Sequence, residues 1–116
     1  MKYMLLIHND GESHPQPGDA RWDTLMAGYG KFNEELVARG SAFSGDPLQP
    51  PMTATTVRMT NGKKIVTDGP FAETKEWMSG YYLVDCANLD EAIALAAHVP
   101  SAAFGSVEVR PIMDMH

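Results

Sequence analysis

The chain has 116 residues, with 15 acidic and 9 basic side chains, a formal charge of −6 and 44% apolar residues. This length suits one domain over residues 1–116, and the apolar content supplies one core and argues against intrinsic disorder. The basic residues are scattered, and only Lys63 and Lys64 are adjacent. Because a nucleic-acid surface needs clustered cations, we expect no nucleic-acid partner.

The longest apolar runs, such as residues 4–7, are far shorter than the roughly 20 residues that span a bilayer. The single cysteine, Cys86, lies in an apolar segment and cannot form an intramolecular disulfide or a thiolate metal cage. We therefore expect a cytoplasmic protein without membrane contact, metal or cofactor.

The first half of the chain predicts a strand, a loop and a helix. Residues 2–8 suit a pleated surface, and the Asn9-Asp10-Gly11 turn signal closes them. A loop over residues 11–18 leads to a helix capped near Asp19 and ended by Gly40. The apolar positions of this helix keep helical spacing: Trp22, Leu25, Met26, Tyr29, Phe32 and Leu36.

The second half predicts a short strand over residues 41–46, a proline-rich connection, and a hairpin of residues 53–60 and 64–67 around Asn61-Gly62. A further strand covers residues 79–86. A helix then begins at Asn88 and ends at Pro100, and a strand over residues 106–112 closes the chain.

This order predicts an α+β fold, a ferredoxin-like sandwich with an inserted β-hairpin. Both faces of the first strand are apolar, with Met4 and Leu6 on one face and Leu5 and Ile7 on the other. Two helices cover one face, so the second face needs a sheet from another chain, which predicts a homodimer. In the alternative, the hairpin and the proline loop fold over that face.

The densest polar cluster is residues 67–76, Thr-Asp-Gly-Pro-Phe-Ala-Glu-Thr-Lys-Glu. Gly69 and Pro70 restrict the turn, so Asp68 would project from a rigid corner, which suits a catalytic carboxylate. The alternative is an ordinary turn with solvated Glu73 and Lys75.

Tyr29 lies in the apolar stripe of the first helix, where a buried phenol needs a hydrogen-bond partner, and we predict that the Asp68 carboxylate is that partner. Gly28 and Gly30 flank it and would permit close approach of another backbone or a ligand. They are not a dinucleotide loop, because they lack a third glycine and follow no strand.

Four further polar residues alternate near the end of the first strand: His8, Asp10, Glu12 and His14. They suit a divalent metal ion if the strand continues through them, and a polar surface loop if it does not. Glu108 and Arg110 share a face of the last strand, either as an ion pair at a pocket or dimer edge or as a solvated edge.

No Gly-x-Ser-x-Gly elbow is present, so acid–base chemistry fits an enzyme better than nucleophilic hydrolysis. Asp68 or Glu73 would move a proton, and Tyr29, Lys75 or Arg110 would stabilise developing negative charge. The candidate catalytic residues are Asp68 and Tyr29, and the candidate ligand-binding residues are Glu73, Lys75, Arg110 and His8.

Residues 68–76, the following Gly80-Tyr-Tyr and the closing residues 107–111 (Val-Glu-Val-Arg-Pro) resemble the DGPF branch of the YCII-related family. The resemblance implies a ferredoxin-like domain that pairs as a dimeric α+β barrel. The family's suspected catalytic aspartate corresponds to Asp68. The position of its histidine falls on Tyr29, so a Tyr–Asp pair would replace a His–Asp pair.

Two functions follow from these observations. The first is a small dimeric enzyme or enzyme-like binder of an unknown small molecule, with acid–base chemistry centred on Asp68. The second is a regulatory accessory with a protein partner, since domains of this branch look like companions of extracytoplasmic-function sigma factors. A pocket containing Asp68 and Tyr29 would favour the first, and an exposed apolar patch would favour the second.

Overall fold

The computed structural model describes residues 1–115. Its strands are β1 Lys2–Asn9, β2 Phe43–Pro47, β3 Thr55–Thr60, β4 Lys63–Asp68, β5 Trp77–Asp85 and β6 Gly105–Pro111. Its α-helices are α1 Ala20–Ala38 and α2 Leu89–His98, and short 3-10 turns cover Pro51–Thr53 and Pro100–Ala103. Every predicted helix and strand is present, with ends that shift by one to two residues at most places.

Four strands form one antiparallel sheet in the order β2-β5-β1-β6, and β3 pairs only with β4 in a separate two-stranded hairpin. With the hairpin set aside, the order is βαββαβ with the first and third strands at the centre. This confirms the predicted α+β, ferredoxin-like fold with an inserted hairpin.

Helix α1 begins where the sequence predicts it. The Asp19 side chain accepts a hydrogen bond from the Arg21 amide at 2.9 Å, and Gly40 follows the helix with a φ of 75°. Leu25, Phe32 and Leu36 are buried, but Met26 is exposed, so the buried stripe is narrower than predicted.

One face of the sheet carries the hydrophobic core. Tyr3, Leu5 and Ile7 of β1 are buried together with Phe32 and Leu36 of α1. Helix α2 adds Ala92, Leu95 and Ala96 to this cluster. Two helices on one face therefore account for the core, as the pattern of β1 predicts.

The cap of α2 differs from the predicted capping box in one contact. Asn88 accepts a hydrogen bond from the Glu91 amide at 3.0 Å, as expected. The Glu91 carboxylate, however, accepts from the Ala87 amide and pairs with Arg39. The hydrogen bond from Arg39, the residue that caps the C-terminus of α1, lowers the pKa of Glu91.

The opposite face of the sheet, which we call the open sheet face, is uncovered within one chain. Its half-buried members are Met4, Leu6 and His8 of β1, Tyr81 and Leu83 of β5, and Glu108 of β6, with exposed Arg110 beside them. The alternative in which the hairpin folds over this face is wrong, because all six residues of β4 are exposed. No helix within the described residues is long and apolar enough to cross a membrane.

Candidate functional site

The Asp68 turn is a fixed corner, as predicted. Asp68 ends β4, and Gly69 follows with a φ of 99°, in the left-handed region that glycine favours. The Gly69 amide donates to the Ala54 carbonyl at 2.7 Å, and the Thr56 hydroxyl donates to the Gly69 carbonyl at 2.8 Å. The Asp68 side chain is exposed, and no described residue donates a hydrogen bond to its carboxylate.

A cavity of about 230 Å³ lies beside this turn. The 3-10 turn after the proline-rich connection forms one wall, and the polar cluster of residues 67–76 forms the other. Its lining residues are Pro51, Met52, Pro70, Ala72, Glu73, Thr74 and Trp77. Glu73 is the one ionisable residue in this lining, so the cavity combines apolar walls with a single carboxylate.

The end of the polar cluster packs against the end of β1. A methyl group added at Gly11 would lie 2.7 Å from the Trp77 indole, so the indole rests directly on the Gly11 backbone. Lys75 lies close enough to Asp10 to contribute to the lowered pKa of that carboxyl, whose main cause is the Ser13 hydroxyl. Lys75 itself is exposed and does not line the cavity.

Tyr29 has a different partner from the predicted one. Its phenol lies 2.6 Å from the Ser101 hydroxyl, which is buried, and the His14 Nε2 atom lies 3.2 Å from the same hydroxyl. The predicted hydrogen bond between Tyr29 and Asp68 is therefore wrong within one chain. The 3-10 turn after α2 brings Ser101 to the phenol, whereas Asp68 lies at the end of β4, on the hairpin and outside the core.

The proton positions in this cluster follow from one carbonyl group. The His14 Nδ1 atom lies 2.9 Å from the Pro15 carbonyl, which can only accept, so Nδ1 carries the proton. In the neutral ring, Nε2 then accepts from the Ser101 hydroxyl, and the Tyr29 phenol donates to the Ser101 oxygen. Because Ser101 is 1% exposed, this cluster ties the 11–18 loop to α1 rather than offering a reachable nucleophile.

Burial also acts on the two tyrosines of this region. It raises the pKa of Tyr29 and raises the pKa of Tyr82 to about 12. The Tyr82 phenol donates to Asn33 at 3.2 Å, and its ring meets Phe32 edge-on. Both phenols therefore stay protonated and serve as hydrogen-bond donors at neutral pH.

The open sheet face holds the other predicted ligand-binding residues. Arg110 donates to Glu108 through Nε at 2.9 Å, and the His8 Nε2 atom lies 3.5 Å from the same carboxylate. The guanidinium lowers the pKa of Glu108, with a smaller contribution from His8. Tyr81 donates to Asp46 at 2.9 Å on this face. Arg110 and His8 are thus grouped with each other, away from the cavity lining.

The proposed His8 to His14 metal segment is divided by the fold. His8 faces Glu108 on the sheet, whereas His14 turns inward to Ser101. Asp10 instead caps the turn that follows, accepting from the Ser13 amide at 2.7 Å. Among residues 1–115, no group of three His, Cys, Asp or Glu side chains is placed to hold a metal ion.

Gly28 and Gly30 behave differently from one another. A methyl group at Gly28 would lie 3.1 Å from Pro100, so this glycine permits the close approach predicted from the sequence. A methyl group at Gly30 would meet nothing within 4 Å. Only Gly28 therefore has a packing reason for its place in the helix.

Sequence reasoning missed Ser101 as the partner of Tyr29. The two residues are 72 positions apart, and His14 and Ser101 are 87 apart, so no local pattern links them. It also missed Met52 and Trp77 as walls of the cavity. Their grouping depends on how the two connections at the base of the hairpin fold against each other.

Comparison with known proteins places these features in a family. A sequence model of the YCII-related domain matches residues 1–116. The chain is 38% identical over 114 residues to an uncharacterised protein of Rhizobium meliloti (strain 1021), a match that covers 97% of this chain and 92% of the relative.

Proposed function

Since the chain belongs to the YCII-related family, we propose that it is a homodimeric binder of a small organic molecule, with its ligand site at the motif cavity. The motif cavity is the 230 Å³ space lined by the seven residues given above. The observation that carries this proposal is that four of the seven belong to the polar cluster of residues 67–76, the most distinctive segment of the sequence. The same proposal includes membership of the DGPF branch of the family and a cytoplasmic location.

The lining points to the chemistry of the ligand. Its walls are the rings and side chains of two prolines, Met52 and Trp77, which favour an apolar body. Glu73 is the single charge, and a carboxylate favours a cationic or hydrogen-bond-donating group. An apolar amine combines both properties and is the ligand class that we propose.

Asp68 is the proposed acid–base carboxylate. It precedes Gly69 and Pro70 on a turn fixed by two hydrogen bonds, and Pro70 lines the motif cavity, although Asp68 itself does not. A carboxylate held on a fixed turn can accept a proton from a bound ligand. Lys75 is proposed as the neighbouring cation, and Tyr29 as a positioning residue that acts through Ser101.

The homodimer is supported by the open sheet face. Met4, Leu6 and Leu83 lie on it without a covering layer from the same chain. An antiparallel sheet with apolar side chains on both faces is stabilised by a second layer, and a copy of the same sheet supplies one. His8 and Arg110 would then lie at the interface rather than in the motif cavity.

Thermal denaturation with three matched small molecules tests the ligand proposal. Benzylamine, benzyl alcohol and benzoate share a ring but differ in charge. At ten times its dissociation constant, a bound ligand raises the free energy of unfolding by about 1.4 kcal/mol, which is an increase of about 5 °C at this chain length. We expect benzylamine to stabilise the protein most and benzoate not at all.

The Glu73→Gln variant should lose the preference for benzylamine, while Glu12→Gln, which changes an exposed carboxylate outside the lining, should keep it. Equal stabilisation of the wild type and Glu73→Gln by benzylamine would contradict the assignment of the cavity. Stabilisation by benzoate as large as that by benzylamine would also contradict the assignment of the cavity.

One observation favours a second function, a regulatory accessory that binds a protein partner such as a sigma-factor-related protein. Large apolar side chains are exposed on and near the hairpin, with Val57, Met59 and Phe71 more than half exposed. Exposed apolar patches of this kind mark interaction surfaces. Co-purification of the protein with the sigma factor of the same organism, lost on Met59→Lys, would support this function.

A further inference from the structure

The lining of the motif cavity has few hydrogen-bond acceptors for a cationic ligand. Among its seven described residues, only Glu73 and Thr74 carry an oxygen in the side chain. The Thr74 hydroxyl donates to the Glu76 carbonyl, so its proton is directed within the loop. The Pro51 carbonyl accepts from the Ala54 amide at 3.0 Å. The Glu73 carboxylate is therefore the principal acceptor that the lining offers to a ligand.

The number of N–H groups on a ligand's ammonium decides how well that ammonium fits this lining. A primary ammonium has three N–H donors, as the lysine side chain does, whereas a protonated tertiary amine has one. A polar group that leaves water without a hydrogen-bond partner costs free energy, while the burial of each methyl group is favourable. One carboxylate among apolar walls therefore matches one N–H among alkyl groups.

Trp77 supplies the aromatic wall of the motif cavity. The outer atoms of its six-membered ring pack on the Gly11 backbone, where an added methyl group would lie 2.7 Å from Cη2 and 3.2 Å from Cζ2. The backbone of Trp77 pairs with Asn9 at the end of β1. These two contacts fix the indole at the cavity. Tryptophan is the side chain that attracts cations most strongly, and methylated ammonium groups are ligands of such aromatic walls.

The Glu73 carboxylate is open to a cation from outside the chain. Lys75 is close in sequence, but it is exposed and does not line the cavity. Its ammonium acts instead on the Asp10 carboxyl, at the turn after β1. Within residues 1–115, no basic side chain pairs with Glu73, so no cation of the protein competes with a ligand for this carboxylate.

We propose that the ligand of the motif cavity is a tertiary amine, an amine with two small alkyl groups on its nitrogen and an apolar body. Its protonated nitrogen donates a single N–H to the Glu73 carboxylate, and its alkyl groups contact the Trp77 indole and the Met52 side chain. The inference rests on the proposed binding of an apolar amine and adds the alkyl groups on the nitrogen as the feature that the site recognises.

Titration of the wild-type protein with three cations, followed by the chemical shift of the Ala72 methyl group, tests this inference. Protonated benzylamine, protonated N,N-dimethylbenzylamine and benzyltrimethylammonium share a ring and a positive charge but carry three, one and no N–H donors. Burial of two methyl groups predicts that N,N-dimethylbenzylamine binds about tenfold more tightly than benzylamine. Benzyltrimethylammonium lacks the hydrogen bond to Glu73, and we expect it to bind about fivefold more weakly than N,N-dimethylbenzylamine.

A matched pair of variants tests the contribution of Trp77. Trp77→Phe keeps an aromatic wall, and Trp77→Leu removes it. The ratio of the dissociation constants of benzylamine and N,N-dimethylbenzylamine is compared, because a general loosening of the cavity weakens both amines together. We expect this ratio to stay above about five in Trp77→Phe and to fall below about three in Trp77→Leu.

Three outcomes would overturn the inference while the amine proposal stands. They are benzylamine binding as tightly as N,N-dimethylbenzylamine, benzyltrimethylammonium binding as tightly as N,N-dimethylbenzylamine, and a tenfold ratio that persists in Trp77→Leu. If Trp77→Leu does not fold, the order of the three cations in the wild type and the ratio in Trp77→Phe still decide. Failure of all three cations to bind would overturn the proposed function together with the inference.

Discussion

Removing the Ser101 hydroxyl is the sharpest test of the buried cluster beneath α1. Ser101 is 1% exposed, and its oxygen is the partner of both the Tyr29 phenol and the His14 Nε2 atom. In Ser101→Ala, both groups lose that partner at once. A buried polar group without a partner costs about 1–3 kcal/mol, and the half-burial of Tyr29 and His14 allows water to offset part of this cost.

We therefore expect Ser101→Ala to lower the free energy of unfolding by about 2 kcal/mol, which lowers the melting temperature by about 8 °C at this chain length. Tyr29→Phe should cost about 1 kcal/mol, because Ser101 then keeps His14 as a partner. The double variant should cost about 1 kcal/mol less than the two single costs together, since both remove the same hydrogen bond.

Urea denaturation followed by circular dichroism measures these differences. Ser106→Ala is the matched control, because Ser106 is exposed and its hydroxyl donates only to Glu76 at the surface, so its cost should stay below about 0.5 kcal/mol. A Ser101→Ala protein as stable as Ser106→Ala would refute the cluster. Strictly additive single and double variants would refute the contact between Tyr29 and Ser101.

Three other predictions concern the helix, the alkaline range and the Asp68 turn. Gly30→Ala should raise the free energy of unfolding by about 1 kcal/mol in urea denaturation. Gly28→Ala should raise it by less, because its new methyl group would lie 3.1 Å from Pro100. An equal increase in both variants would contradict the packing of Gly28 against Pro100. The pKa of Tyr82 is about 12 in the folded chain and about 10 in the unfolded chain, so the free energy of unfolding should fall as the pH rises between these values. Tyr82→Phe should make this fall with pH less steep. An unchanged pH dependence would show that Tyr82 is not its cause. Asp68→Asn should change the free energy of unfolding by less than about 0.5 kcal/mol while weakening ligand responses, and global unfolding of this variant would make Asp68 a structural residue.

Local signals predicted the fold because each element carries its own. The cap at Asp19, the Asn61-Gly62 turn with two positive φ angles, and the alternation in β1 each act within a few residues. The division of β1 into two apolar faces followed from the sequence, because alternate side chains of a strand share a face. Which face the helices cover did not follow, and the structure shows it to be the face of Leu5 and Ile7. Such features need no knowledge of distant contacts.

The site was harder to predict because it depends on distant contacts. The rigid corner at Gly69 followed from the glycine–proline sequence, and the structure has it. The partner of Tyr29 did not follow from the sequence, because the partner of a helix side chain depends on which segment packs against that helix. Here that segment is the 3-10 turn that carries Ser101. The hairpin of β3 and β4 holds Asp68 away from the core, and the sequence of a hairpin does not by itself encode that placement.

The central claim, that the motif cavity binds a small apolar amine, is tested most directly by the chemical shifts of the wild-type protein titrated with benzylamine. The account predicts changes at the Trp77 indole N–H and at the Met52 and Ala72 methyl groups, which line the motif cavity. Leu83 and Phe43, which line a separate cavity of about 140 Å³ between β2 and β5, should keep their shifts. Changes confined to Leu83 and Phe43, or no changes at Trp77 at saturating amine, would contradict the claim.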